Sequence, residues 1–363
     1  MRPSQYLNFL LPHFNTRRTK EIFHVNQSVN PTRIDSEEVH IQVYEYDASG
    51  LETFEFKTIE ETFPFRDTKK VSWINIGGIR KADVEKISQH FGIHPLLIED
   101  VLSMEQRPKM DEIDGLLFCL LNMLYFEKQK TCVETEQISI VLGDSFVISF
   151  QDDATRDVFN LIRGRLSIQN SKLRISGADY LCYALLDTIV DHYYEVMEQL
   201  GEKMESLEEE IIRRSNKRSL ARINSLRKEL IILKRNVAPV RDMIYNIIKA
   251  ESELIGERTT KYFKDVHDHI VQAADLTDNY RDMMLNMQDL YLSNVNLKTN
   301  EVMKVLAIVT CLLAPATVIG GIFGMNFDVI PYAHQRWGFY LAVGLMLIIP
   351  IGMLIVFRRR GWF

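Results

Sequence analysis

Two hydrophobic periods divide this chain. Up to about residue 175 short apolar or alternating runs are punctuated by turn residues. His40–Tyr46 is rich in β-branched and aromatic side chains, residues 47–50 read as a turn, and residues 53–57 set Phe54 and Phe56 against Glu55 and Lys57. Residues 72–76, 116–126 and 138–150 predict further strands, the last folded back on itself at Gly143, Asp144 and Ser145. Residues 82–91, Pro95–Leu102 and 155–167 carry helical spacing. Strands mixed with helices predict an α+β fold, with residues 1–175 as an α/β cytosolic domain.

After Gly177 glycine and proline almost vanish, and apolar residues recur every three or four positions. Long helices are the consequence. Asn216 and the flanking Ser215 and Ser219 interrupt the period, and Gly256 with Thr259 and Thr260 interrupts it again, Thr259 or Thr260 being placed to cap the next helix. Residues 176–258 then form a helical hairpin, and residues 259–323 form a stalk that continues into an apolar run. One uninterrupted stalk of this kind extends on the order of 90 Å.

Residues 305–323 and 337–357 contain no charged side chain, and each approaches the roughly 20 residues that cross about 30 Å of hydrocarbon. The pattern predicts two transmembrane helices in a lipid bilayer, joined by a loop over residues 324–336 and followed by a tail over residues 358–363. Lys298 and Lys304 precede the first span, Arg358, Arg359 and Arg360 follow the second, and the loop offers only Arg336. Both termini are expected in the cytoplasm of a cell with this protein in its inner membrane. Tyr332, Trp337 and Tyr340 fall at one interface and Trp362 at the other.

The first span carries a stripe. Taking alternate steps of four and three from Asp289 selects Ser293, Asn296, Asn300, Met303, Ala307, Thr310, Ala314, Thr317 and Gly321, a face held toward one partner in a left-handed bundle. A dry seam places Leu or Ile at such positions; here the first half is polar and the second half small. Small residues also allow close helix packing in lipid. The polar half favours a column of water and ions, because Asp and Asn on a tight dry seam are costly. One helix encloses nothing, so this reading requires a homo-oligomeric ring. Met303 and Leu306, on adjacent faces, form a candidate apolar collar that closes the path by dewetting.

The 363 residues include 25% charged side chains and carry a net charge of −6, which argues against nucleic acid as a partner and is compatible with gathering cations. Cys119, Cys132, Cys182 and Cys311 are scattered and form no CxxC pair, so neither a disulfide framework nor a zinc knuckle is indicated. Tyr6 to Phe14 is interrupted by Asn8 and Pro12, and no small-residue cleavage site follows, so a secretory signal is not expected. No P-loop, GxSxG, HExxH or Cys/His constellation is present, so an enzyme is not expected.

The string FGMNF over residues 323–327 lies between the two terminal spans and is preceded by TNEVMKVL over residues 299–306. With IHPLLIEDVL and QRPK between residues 93 and 109, the row from Arg235 to Asp242, and YFKDVHDHIVQAAD over residues 262–275, the chain resembles the CorA family of divalent-cation channels, chiefly magnesium transporters.

That resemblance implies a homopentamer whose stalk helices line one pore below a funnel-shaped cytosolic domain. Gly324, Met325 and Asn326 are implied as the selectivity filter, holding magnesium through its hydration shell. Such recognition suits an ion that dehydrates reluctantly. Asp289, Asn300, Met303, Thr317 and Gly321 match positions used along the family's pore, to which the stripe adds Thr310 and Ala314 and the adjacent face adds Leu306. Asp100 and Asp265 match an acidic pair that bridges neighbouring subunits through regulatory Mg²⁺. Asp328 is the single acid after the filter, where family loops commonly carry glutamates, so external capture of cations by loop charge is expected to be weaker. The expected function is potential-driven influx of hydrated Mg²⁺, gated by cytosolic Mg²⁺. Alternatives are transport of Co²⁺, Ni²⁺ or zinc by the same architecture, or a non-conducting metal sensor.

Overall fold

The computed structural model describes residues 33, 35–104, 106–153, 156–325, 330–332, 335 and 337–362. Its described residues divide into two compact units, one of residues up to 210 together with 216–287, the other of residues 211–215 and 288–363.

The first unit is built on one seven-stranded sheet. Its strands are β1 (His40–Tyr46), β2 (Leu51–Phe56), β3 (Val71–Gly77), β4 (Lys109–Ile113), β5 (Leu116–Glu127), β6 (Cys132–Leu142) and β7 (Phe146–Gln151), in the order β2-β1-β3-β7-β6-β5-β4. All neighbours are antiparallel except β3 and β7, which run parallel. The hairpin expected at residue 143 is present. A Cβ on Gly143 would stand 2.5 Å from the Phe146 ring, so any other residue there would have to displace that ring. β6 starts at Cys132, upstream of the expected 138, because Thr135 and Glu136 pair with Leu124 and Met123 and extend the ladder through a polar stretch.

Helices cover both faces. On one, α1 (Lys81–Phe91) and α2 (Pro95–Leu102) contribute Val84, Ile87, Phe91, Leu97 and Val101 to a core with Ile41, Val43, Ile74, Ile76, Phe118, Leu120 and Ile148. Two short helices, α3 (Asn160–Ser167) and α4 (Lys172–Ile175), then lead into the long pair α5 (Ala178–Arg214) and α6 (Lys217–Lys249). The helix expected over 155–167 begins only at Asn160. On the opposite face Cys119 of β5 meets Cys182 of α5. Further along β5 the Asn122 side chain, on the Phe118 and Leu120 face, donates to Asn236 of α6 at 2.8 Å, and the Asn122 carbonyl accepts from Tyr193 of α5 at 2.6 Å. Coverage on both sides explains why β5 reads LLFCLLNML, a continuous apolar run where a half-exposed strand would alternate.

Asn216 caps α6. Its side chain accepts from the backbone of Arg218 and Ser219, and Ser219 Oγ accepts from the Asn216 backbone, a reciprocal capping box. The acidic end of α5 meets the basic start of α6 where Glu210 accepts from Ser219 at 2.7 Å and from Arg222. α7 (Glu257–Phe323) begins two residues before the threonines expected to cap it, with Gly256 O accepting from the Thr259 and Thr260 amides.

The second unit holds the later part of α7 and α8 (Gly338–Arg359), the two helices long and apolar enough to cross a membrane, with mean hydropathy of 2.3 and 2.6 over their most apolar windows. Pro315 and Pro350 lie inside them without ending either helix. Phe339, Tyr340, Leu347, Ile348 and Ile351 are exposed, an apolar exterior suited to acyl chains.

Candidate ion pathway and metal sites

In the second unit, α7 between residues 303 and 323 has one covered side. Ile308 is buried, and Lys304, Leu312, Pro315, Ala316, Ile319 and Phe323 are partly buried. This side meets α8, where Ala342 is buried and Met346 Cε lies 3.5 Å from the place a Cβ on Gly320 would occupy. At 3.6 residues per turn, the stripe Met303, Ala307, Thr310, Ala314, Thr317, Gly321 points about 160° away from that side. Every stripe position from Asp289 to Gly321 is exposed, Ser293, Asn296 and Asn300 among them, and Leu306 beside the stripe is 65% exposed. α8 therefore leaves free the face that the sequence pattern singled out.

Two hydroxyls on that face are already committed as donors. Thr310 Oγ1 donates to Leu306 O at 2.9 Å and Thr317 Oγ1 to Leu313 O at 3.1 Å. A hydroxyl so bound keeps its oxygen lone pairs, so each threonine presents an acceptor and no free donor. That polarity fits the outward-pointing hydrogens of a hydrated cation.

At the end of α7 the Gly324 amide donates to Gly320 O at 3.0 Å and the Met325 amide to Ile322 O at 3.3 Å. A Cβ on Gly324 would sit 3.0 Å from Gly320 O, so a side chain there would press on the last helical turn. Met325 is 52% exposed. Asn326 and Asp328 lie outside the described residues. Arg358 and Arg359 close α8, Arg360 follows, and Phe357 stacks on Trp362 at 5.1 Å between ring centroids.

In the first unit, His94 caps α2 by accepting from the Leu96 amide at 3.2 Å, and Gln137 Nε2 donates to Asp100 O at 3.1 Å. These bonds set the end of α2 against the sheet, where Asp100 Oδ2 lies 2.6 Å from Lys109 Nζ. Asp265 stands exposed on α7. A second constellation is formed by Asp187 and Asp191, four apart on α5, and His269 on α7, with ligand atoms all within 4.8 Å of one another. Burial raises both carboxyl pKa values, Asp191 adding to the effect at Asp187 and His269 opposing it at both. Two carboxylates and an imidazole form a donor set more typical of Co²⁺, Ni²⁺ or Zn²⁺ than of Mg²⁺. The i,i+4 spacing of Asp187 and Asp191 was visible in the sequence; the approach of His269 from a distant helix was not.

A model for the CorA-like Mg²⁺ transporter protein family matches residues 68–359. The chain belongs to that family. The CorA-like architecture extends to relatives along nearly their whole length. The cobalt/magnesium transport protein CorA of Thermotoga maritima is 36% identical over 327 residues, 90% of this chain and 93% of the relative. Its counterpart in Methanocaldococcus jannaschii is 26% identical over 303 residues, 82% of this chain and 93% of the relative. The solved structure of the complete CorA magnesium transporter from Methanocaldococcus jannaschii superposes with a TM-score of 0.74 at 24% identity, covering 89% of this chain and 98% of that one, and so shares the fold. CorA-like proteins are a family of transporters, not of enzymes, and the two apolar helices are its membrane portion.

Proposed function

We propose that this protein is one subunit of a homo-oligomeric channel that admits hydrated Mg²⁺ across the cell's inner membrane. The observation that carries the reading is the exposed stripe on α7, opposite the side that meets α8. It presents Asn300 amides and threonine oxygens without a formal charge over the membrane span, with Asp289 near its cytosolic end. Dipoles of this kind attract a hydrated divalent ion without binding it so tightly that it fails to leave. A ring of five, as the family resemblance implies, turns five such stripes toward one axis and leaves the apolar faces of α8 to lipid. Gly324, Met325 and Asn326 form the outer filter, and Met303 with Leu306 closes the inner end by dewetting.

Both termini face the cytoplasm, the side holding Lys298, Lys304 and Arg358 to Arg360. A doubly charged ion then gains about 4.6 kcal/mol per 100 mV of inside-negative potential, so no coupled energy source is required. Cytosolic Mg²⁺ bridging Asp100 of one subunit and Asp265 of the next keeps the channel closed. The names of the relatives include cobalt beside magnesium. The imidazole of His269 favours Co²⁺ as an alternative ion on the cytosolic side.

Uptake of Mg²⁺ into proteoliposomes with an imposed inside-negative potential tests the reading. Wild type takes up the ion, and Asn326→Ala loses most of the flux. Equal rates in the two would remove the filter role.

A further inference from the structure

Asp100 already holds a cation. Lys109 Nζ lies 2.6 Å from Asp100 Oδ2 and 3.2 Å from Asp111 Oδ2, with the Asp100 side chain only 15% exposed and that of Lys109 37% exposed. Lys109 opens β4, the edge strand of the sheet, and residues 109 and 111 of one strand share a face. Pro108 ahead of it is buried, so the chain enters the strand from a fixed point. The ammonium is thus delivered by the sheet edge to a carboxylate delivered by the end of α2, and both ends are anchored. The surrounding carboxylates hold the Lys109 pKa above its ordinary value against the opposing effect of burial, so the group stays charged throughout the physiological range.

We propose that Lys109 is a tethered competitor for the regulatory ion at Asp100, occupying the carboxylate until divalent metal displaces it and so setting the Mg²⁺ concentration at which the assembly closes. The proposal rests on Asp100 being a regulatory ligand, as read above. The fit of a cation to this place is supported by the ammonium itself, a stand-in ion at hydrogen-bonding distance. Displacement exchanges one partly desolvated contact for another, so the ion pair subtracts directly from the apparent affinity for metal. An intramolecular lysine has a constant effective concentration, which makes the closing threshold in part a property of the chain itself.

The test uses the full-length assembly in detergent, with protection from chymotrypsin followed as Mg²⁺ is titrated; neither Lys109→Gln nor Lys109→Arg creates a chymotrypsin site. With Lys109→Gln the Mg²⁺ concentration for half-protection falls roughly three- to tenfold, as expected for loss of a partly exposed ion pair. Lys109→Arg, which keeps the charge, restores the wild-type midpoint to within about twofold. An unchanged or higher midpoint in Lys109→Gln overturns the competitor role. Asp100→Asn separates this failure from failure of the underlying reading. If Asp100→Asn raises the midpoint while Lys109→Gln leaves it unmoved, Asp100 is a ligand and Lys109 is no competitor; if Asp100→Asn changes nothing, both the regulatory site and the proposal fall.

Discussion

Glu136 is the side chain of the first unit most clearly set for proton exchange. It is 7% exposed on β6, accepts from the Asp153 amide and from Tyr125 Oη, both at 2.9 Å, and burial with nearby Asp152 and Asp153 pushes its pKa up to about 7. Tyr125 Oη also lies 2.8 Å from Arg156 O. One phenolic hydrogen cannot serve two acceptors fully, and a protonated Glu136 resolves this by donating to Tyr125 while Tyr125 donates to Arg156. Because the folded pKa exceeds the ordinary value of about 4.3, the stabilisation from that proton is complete below pH ~4.3 and lost as pH rises through 7, amounting to at most about 4 kcal/mol. Glu136→Gln keeps a donor at every pH. Its melting temperature relative to wild type is therefore expected to rise between pH 5 and pH 8 by a few degrees; a constant difference would show that Glu136 does not titrate in the fold.

At the scale of elements, α7 carries two unlike duties in one helix. Its early part buries Phe263, Val266, Ile270 and Ala273 in the first unit, with Thr277 Oγ1 donating to Ala273 O. Its later part buries little beyond Ile308 and exposes a face without charge over the apolar run. Thr317→Val keeps the shape of that face and removes the acceptor oxygen, so Mg²⁺ flux should fall several-fold while the amount of assembled protein in the membrane is unchanged. Asn300→Leu, which makes the seam drier, should reduce flux more strongly. Retention of full flux by both variants would place the stripe in a helix contact and not beside the ion. Such a contact is the alternative reading of small residues in lipid.

At the scale of the whole molecule, the closure proposed above depends on a bridge between copies of the chain. Asp265→Lys replaces one carboxylate of that bridge by a fixed positive charge. Internal Mg²⁺ should then inhibit flux only at concentrations at least about tenfold higher, as expected when a ligand is replaced by a like charge of the metal. Full inhibition at the wild-type concentration, read from flux into vesicles preloaded with graded Mg²⁺, would remove Asp265 from the bridge.

Several features were legible in the residues alone because they are local. The two charge-free runs, the helical period after Gly177, the break at Asn216 and the turn at Gly143 each arise from neighbours in sequence, and each appears in the structure where the pattern puts it. The stripe is equally local, since helical geometry alone decides which residues share a face. Strand β4 escaped notice because KMDEI has no clear alternation and gains its place only by pairing with β5. The start of β6 was missed for the same reason, its polar residues being held by partners across the ladder. Membership of the sheet is decided by contacts between distant segments, and so is the chemistry of its edge. Nothing in the order of residues tells that Lys109 lies against Asp100, that His269 reaches Asp187 and Asp191, or that Glu136 loses its water. Those facts depend on which segments the folded chain brings together, because ion pairing, ligand convergence and desolvation act through space and not along the backbone.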